Sequence, residues 1–265
     1  LGRPPREGDE LPKDMEDYLF TNLVDSTCGS FMAQTSDELC KRIGVTRDEA
    51  DAFAALSHQR TEATVANGIW AQEIVEVDTP DGTVGAGDED HFVPGTTEES
   101  LSGLRTHFGP ESLVTAGNAS GVVDGAAAVV LKSASRAEDD GDSPLARIVS
   151  WGIVGLEPAI MAHGPVPASR QALDKAGLEA SDIDRWEINE AFAGQAVACI
   201  KDLGIDVEKV NVNGGAVGIG HPLAATGTRL TLTLAHELKR SGGRYGIATA
   251  CIGGGQGIAV VIETI

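Results

Sequence analysis

The chain has no run of roughly eighteen or more apolar residues, so it offers no segment able to cross a bilayer as a helix. Lysine is scarce: seven of the 20 basic residues are lysine, against 40 acidic ones, for a net charge of −20 at pH 7. Phosphate neutralisation requires clustered Lys and Arg, so this balance argues against a nucleic-acid partner. Cysteines are few and scattered, at 28, 40, 199 and 251, with no CxxC spacing. That pattern excludes a zinc site or a disulfide framework and leads us to expect a reducing cytoplasmic compartment and no bound metal. The opening Leu1-Gly-Arg-Pro-Pro-Arg-Glu-Gly has no apolar h-region, so no secretory leader is expected here. It also lacks an initiating methionine and reads like the interior of a longer gene. What is present is a 42% hydrophobic content over 265 residues, enough to bury the core of one large domain or two ordinary ones.

Up to about Asp25 the composition predicts irregular structure. Ser36 is expected to cap a short helix through Ile43. Thr46-Arg-Asp-Glu49 is a capping box, in which hydroxyl and carboxylate each satisfy a free N–H, and it opens a helix to about Asn67 with Gly68 as its stop. Ile74–Val77 is expected to be a short strand, and 78–109, rich in Gly, Pro, Thr and acid, to be loops. Gly125–Leu131 reads as a buried apolar run, and Glu138–Pro144 as an exposed linker and the main boundary. Beyond it strands (146–151, 186–188, 210–212) alternate with helices (167–176, 192–203, and one placing Leu230, Leu234 and Leu238 on one face). Tyr245–Cys251 and Gly257–Ile262 form an expected hairpin. The alternation predicts an α/β layer fold with a mixed β-sheet.

Three segments of the last third carry reactive side chains at expected strand ends, where open α/β sheets tend to place ligands. They are Asn189-Glu-Ala-Phe192, Asn213-Gly-Gly-Ala-Val-Gly-Ile-Gly-His-Pro-Leu-Ala-Ala-Thr-Gly227 and Cys251-Ile-Gly-Gly-Gly-Gln-Gly257. Taken singly, each has a plainer explanation. An Asn at a strand end is usually a turn residue, a His in a glycine loop can be an ordinary hydrogen-bonding group, and a Cys in a strand is usually a small hydrophobe. The combination changes the balance, because each polar group lies on a Gly- or Ala-flanked loop that lets backbone approach a ligand closely.

In this order the three blocks resemble the thiolase family. Thr115-Ala-Gly-Asn-Ala-Ser-Gly-Val-Val-Asp-Gly-Ala-Ala-Ala128 is similar to that family's coenzyme A segment, and Thr46–His58 to the helix of its loop domain. The resemblance covers essentially the whole chain. It implies a thiolase-like layered fold, a mixed sheet with helices on both faces, plus a loop domain. Residues 1–118 would form the loop domain with coenzyme A contacts, 119–143 the last elements of the N-terminal domain, and 144–265 the C-terminal domain.

The same resemblance implies roles for individual residues. His221 would activate a nucleophilic thiol and, with a water held by Asn189, stabilise the enolate or thioester oxygen. Cys251 would be the general base on the α-carbon of acetyl-CoA in condensation and the acid in thiolysis, and the Gly253 N–H would contribute a second oxyanion hole. Ser120, Ala116 and Val122 would line the pantetheine arm, with Met161 near the acyl group. Coenzyme A thioesters would be substrates, with no resident cofactor. The residue types suit the chemistry: a weakly acidic thioester α-proton calls for a thiolate-capable base beside oxyanion donors, and a thiol nucleophile calls for an imidazole.

The pattern breaks at the acyl-accepting cysteine. Cys28-Gly-Ser30 is the one tempting candidate, but Phe31-Met-Ala-Gln aligns with the loop-domain segment that follows the nucleophile domain, so Cys28 is read as a loop residue. A histidine often found before that Met is Phe31 here. The isolated chain is therefore expected to lack turnover, and its partner to be a homo-oligomer copy or a nucleophile-domain-bearing chain. A different class of reading makes it a non-catalytic acyl-CoA-binding subunit; a ketoacyl synthase fits poorly, since that family usually carries a second histidine where Cys251 sits.

The acidic, lysine-poor composition also resembles that of salt-adapted proteins, whose surfaces stay hydrated in concentrated salt. Thermal melts from low to molar KCl should then show Tm rising steadily, as self-repulsion is screened; a Tm that falls or stays flat would leave only an ordinary acidic protein.

Overall fold

The computed structural model describes residues 21–86 and 91–265. The expectation of irregular structure before Asp25 falls mostly outside the described residues. In chain order the helices and strands are α1 Met32–Ile43, α2 Arg47–Ala66, β1 Val77–Thr79, β2 Gly82–Val84, α3 Glu98–Ser102 and α4 Ala134–Asp140. There follow β3 Ala146–Gly155, α5 Pro165–Ala176, β4 Arg185–Ile188, α6 Ala193–Leu203, α7 Ala216–Ile219, α8 Thr226–Ser241, β5 Tyr245–Ile252 and β6 Gln256–Thr264.

The principal sheet has the order β3-β6-β5-β4, with β4 and β5 parallel and the other two pairs antiparallel, so it is mixed as expected. Helices cover both faces. On one, Val166, Ala168, Ala172 and Leu173 of α5 lie against Ile247, Ala259 and Val261. The approach is close enough that a Cβ on Gly152 of β3 would fall 2.1 Å from the Ala168 carbonyl oxygen, so that position admits only glycine. On the other face Leu230, Leu234 and Leu238 of α8 bury against Ala248 and Ile262. At about 1.5–3 kcal/mol for each fully buried leucine, this single stripe anchors α8, and with it the loop that precedes it.

The helices α1 and α2 dock on α6. Their contact is made of small residues: Gly194 of α6 leaves room for Cys40 of α1, whose Sγ would stand 2.8 Å from an added Cβ. Thr46 caps α2 as its capping box predicts, with Glu49 N–H donating to the hydroxyl and Thr46 N–H to the Glu49 carboxylate. Asp51, buried on α2, accepts from Arg47 at 2.7 Å and from Asn118 Nδ2 at 2.8 Å, which ties the 113–118 segment to the helix.

Six expectations need correction, the last being the run Gly125–Leu131. Helix α1 starts at Met32 rather than after Ser36, because Gln34 Oε1 accepts the Phe31 N–H and extends the cap upstream. The short strand is 77–79, paired with 82–84; Ile74 instead donates back to Trp70 in a tight turn. The stretch 78–109 contains that hairpin and α3 as well as loops. Residues 138–140 end α4, which Ser133 caps and Gly141 stops in the left-handed region, so the linker shortens to the residues after it. Val210–Val212 makes only one bridge, to Trp186, because Asn211 adopts φ 45°.

The run Gly125–Leu131 departs furthest. It forms no strand and is not buried: Val130 is 85% exposed and Leu131 71%. No strand among the described residues pairs with it, and Val129, Val130 and Leu131 stay exposed. Trp151 (57%) and Ile153 (59%) on the edge strand β3 are likewise exposed.

Truncation should separate the two kinds of apolar residue. Leu234→Ala is expected to destabilise the chain by about 2–5 kcal/mol in urea denaturation, and Val130→Ser by less than about 0.5 kcal/mol. Equal losses would contradict the burial described.

Candidate active site

Strand β4 delivers Asn189 to its carboxyl end, fully buried, with its backbone N–H donating to the Thr249 carbonyl of β5 at 2.9 Å. Its side-chain Nδ2 lies 3.2 Å from Nε2 of His221. The other imidazole nitrogen, Nδ1, lies 2.6 Å from Thr226 Oγ1, and Thr226 in turn reaches the Pro222 carbonyl at 3.4 Å. These partners select a tautomer. An amide nitrogen can only donate, so Nε2 holds the lone pair; Nδ1–H donates to Thr226, whose own hydroxyl hydrogen goes to Pro222. Burial, helped by the nearby Arg229 guanidinium, lowers the His221 pKa to about 4. The ring is therefore neutral at physiological pH, with its Nε2 lone pair accepting from Asn189.

The loop that carries His221 is shaped by the neighbouring Glu190. This fully buried carboxylate accepts from Ser57 Oγ at 2.6 Å, Asn211 Nδ2 at 2.7 Å and the Val217 N–H at 3.0 Å. Burial raises its pKa, against the pull of those three donors. A Cβ on Gly215 would fall 2.2 Å from the Glu190 carboxyl carbon, so the glycine lets the loop close over the carboxylate. Asn211 completes the frame, exchanging side-chain hydrogen bonds with both Ile188 N–H and Ile188 O across β4.

Cys251 stands near the end of β5, opposite Gly257 of β6, and residues 253–255 form the connecting loop. It is half-buried in an apolar cluster with Met161, Ile160, Met32, Leu39 and Ala198, and burial pushes its thiol up to about 11. Asn189 links the His221 ring to strand β5: its side chain meets His221 and its backbone meets Thr249, two residues before Cys251 on the same face of the strand. Gly253 is exposed, and its N–H makes no hydrogen bond to any described residue.

The remaining expected residues divide. Met161 shares the Cys251 cluster. Ser120 donates from both N–H and Oγ to the Ala191 carbonyl, and Gly121 O accepts the His221 N–H at 2.8 Å, so the 115–123 loop borders the site. Ala116 and Val122 are exposed on that loop. Phe31 caps α1 with its ring 5.6 Å from Phe108. Cys28 lies in the turn that Asp25 organises, donating its N–H to Asp25 Oδ1 at 3.1 Å. Sequence reasoning missed Glu190, Asn211, Ser57, Thr226 and Arg229. Glu190, Thr226 and Ser57 lie inside the quoted segments, but nothing local gives Ser57, Asn211 or Arg229 its role, because that role depends on contacts between distant segments.

Comparison with known proteins identifies the family and the fold. The family model for the thiolase N-terminal domain matches residues 6–135 and that for the thiolase C-terminal domain residues 142–264. The human mitochondrial 3-ketoacyl-CoA thiolase is 44% identical over 99% of this chain and 67% of its own length. The chain belongs to the thiolase family. Among its thiolase relatives, an acetyl-CoA acetyltransferase from Allochromatium vinosum is 45% identical over 97% of this chain and 66% of that protein. In structure, the Bacillus anthracis acetyl-CoA acetyltransferase superposes with a TM-score of 0.90 at 39% identity, covering 100% of this chain and 66% of that one. The human mitochondrial 3-ketoacyl-CoA thiolase in complex with CoA gives 0.88 at 40% identity, covering 99% and 67%. This thiolase chain thus spans about two thirds of the length of the relatives it matches.

The buried imidazole sets a pH signature. Between the ordinary histidine value near 6.5 and about 4, the unfolded chain takes up a proton that the folded chain refuses, so stability should fall as pH is lowered through that window. An NMR titration should place the His221 midpoint near 4; a midpoint at the ordinary value would contradict the hydrogen-bonded, buried ring.

Proposed function

We propose that this chain carries the acid/base and oxyanion half of a thiolase site, for the reversible condensation and thiolysis that link acetyl-CoA and acyl-CoA to 3-ketoacyl-CoA. The observation that supports it is the pair of bonds made by Asn189, which couples the His221 ring to the strand bearing Cys251.

In condensation the Cys251 thiolate removes a proton from the methyl carbon of acetyl-CoA, forming S–H as the C–H electron pair moves into an enolate. With a pKa of about 11, only about one thiol in ten thousand is ionised at neutral pH, but the thiolate formed is a strong base for a weakly acidic carbon. A water held by Asn189, with His221, would stabilise the enolate oxygen, and the unbonded Gly253 N–H is a further donor free to reach it. The enolate carbon then attacks an acyl thioester carbonyl, and the thiol that held the acyl group leaves. In thiolysis the same thiol returns the proton to carbon. His221, neutral with its lone pair on Nε2, is in the form that takes a proton from an attacking thiol, and the imidazolium so formed would donate to the thioester oxygen. The acyl-accepting thiol would come from a nucleophile-domain-bearing chain or a copy of the protein. Coenzyme A thioesters would lie along the 115–123 loop, with Met161 at the acyl end.

A partial reaction tests this half of the chemistry alone. The chain should wash deuterium out of the methyl group of CD3-acetyl-CoA, and Cys251→Ser should slow the exchange by about 100-fold or more. Without a further thiol it should not cleave acetoacetyl-CoA. Absence of exchange would overturn the base assignment, and cleavage by the purified chain would overturn the division of labour.

A further inference from the structure

The loop between β5 and β6 presents three successive glycine amides, but they are not equivalent. Gly254 N–H already donates to Asp25 Oδ2 at 2.8 Å. Gly254 and Gly255 both take positive φ, +81° and +77°, and the Gly255 carbonyl accepts the Leu156 N–H at 2.7 Å. Gly253 O accepts from the Gln256 side chain at 3.0 Å, leaving its own N–H unbonded. Asp25 reaches this loop from 229 residues away in sequence. It is itself only 4% exposed and is held in a tight turn, where its Oδ1 accepts the Thr27 and Cys28 N–H groups at 2.8 and 3.1 Å. The turn is closed by Asp25 N–H to Ser30 O, and leads directly into α1, whose Met32 brings its sulfur 3.6 Å from where a Cβ of Gly253 would stand.

The peptide N–H vectors of a glycine loop are free to swing, since no Cβ restricts φ. Fixing the Gly254 amide by one end fixes the orientation of the 253–254 peptide, and with Gln256 holding Gly253 O from the other side, limits how far the neighbouring 252–253 amide can turn. A buried carboxylate suits the task better than an amide side chain. Three N–H groups converge on its two oxygens, and a carboxylate is acceptor-only, so each donor finds a lone pair.

We propose that Asp25 is a positioning residue that aims the Gly253 N–H at the thioester oxygen, by clamping the adjacent Gly254 amide. The proposal rests on the oxyanion role given to Gly253 above. Asp25 touches no reacting atom; it acts through the hairpin loop. The substitution Asp25→Asn keeps the shape but turns an NH2 group toward one of the three donors, which breaks one hydrogen bond and loosens the loop.

Two measurements on the full chain separate this proposal from the reading beneath it. Hydrogen exchange by mass spectrometry reads the clamp without any chemistry: in Asp25→Asn, peptides covering 251–257 should exchange about tenfold faster, while peptides covering α8 stay unchanged. Deuterium washout from CD3-acetyl-CoA reads its use: the maximal exchange rate should drop about 10- to 100-fold, less than the loss of an oxyanion donor itself, with half-saturation by acetyl-CoA little altered. Thr27→Ala, which retains the backbone donor, should leave both readouts at the parent values and so controls for general loosening of the turn. Faster loop exchange with an undiminished washout rate would overturn the positioning role. Unchanged loop exchange would overturn the clamp. Absence of washout from the parent chain would instead remove the oxyanion role on which the proposal stands.

Discussion

The site depends on a single buried asparagine that belongs to two elements at once. Asn189 N–H continues the parallel pairing of β4 with β5 by donating to Thr249, and its side chain reaches out of the sheet to His221. A hydrogen bond at a strand end is worth only about 1 kcal/mol of net stability, but here it sets a relative position as well. The imidazole comes from a glycine-rich loop with little rigidity of its own, and it becomes part of a defined constellation by meeting a strand that the hydrophobic core holds still. Glu190 extends the same logic one residue further, by gathering Ser57 of α2, Asn211 and the α7 amide onto one carboxylate.

Burial then acts on the two reactive groups in opposite chemical senses but with one effect. It pushes the Cys251 thiol up to about 11 and the His221 imidazolium down to about 4, so both rest uncharged. Two neutral resting groups would suit the chemistry proposed above, in which charge exists only fleetingly on an enolate oxygen. The buried carboxylates around these residues are each paired: Glu187 lies beside Arg229, while Glu190 and Asp25 are each filled by three donors.

Much of the C-terminal region could be read directly. The leucine stripe of α8, the hairpin of β5 and β6, and the capping box of α2 each announce themselves within a few residues, because period, turn glycines and cap chemistry are local properties. The motifs at 189–192 and 213–227 marked two side chains that meet, Asn189 and His221. The framework beneath them could not be read. Ser57 finds Glu190 across 133 residues and Asp25 finds Gly254 across 229, and nothing in either local segment distinguishes such a side chain from an ordinary surface one. The apolar run 125–131 misled for a related reason. Hydrophobicity predicts that a segment will be covered where a strand or helix packs on it, and among the described residues no strand pairs with this one and Val129, Val130 and Leu131 stay exposed.

The central claim is that His221, Cys251 and the Gly253 amide face one thioester. A crystal structure of the chain with acetyl-CoA tests it most directly. The account predicts the thioester oxygen within hydrogen-bonding distance of the Gly253 N–H, the methyl carbon in contact with the Cys251 sulfur, and the pantetheine along the 115–123 loop. A thioester bound elsewhere, or bound there with its methyl group turned away from Cys251, would contradict it.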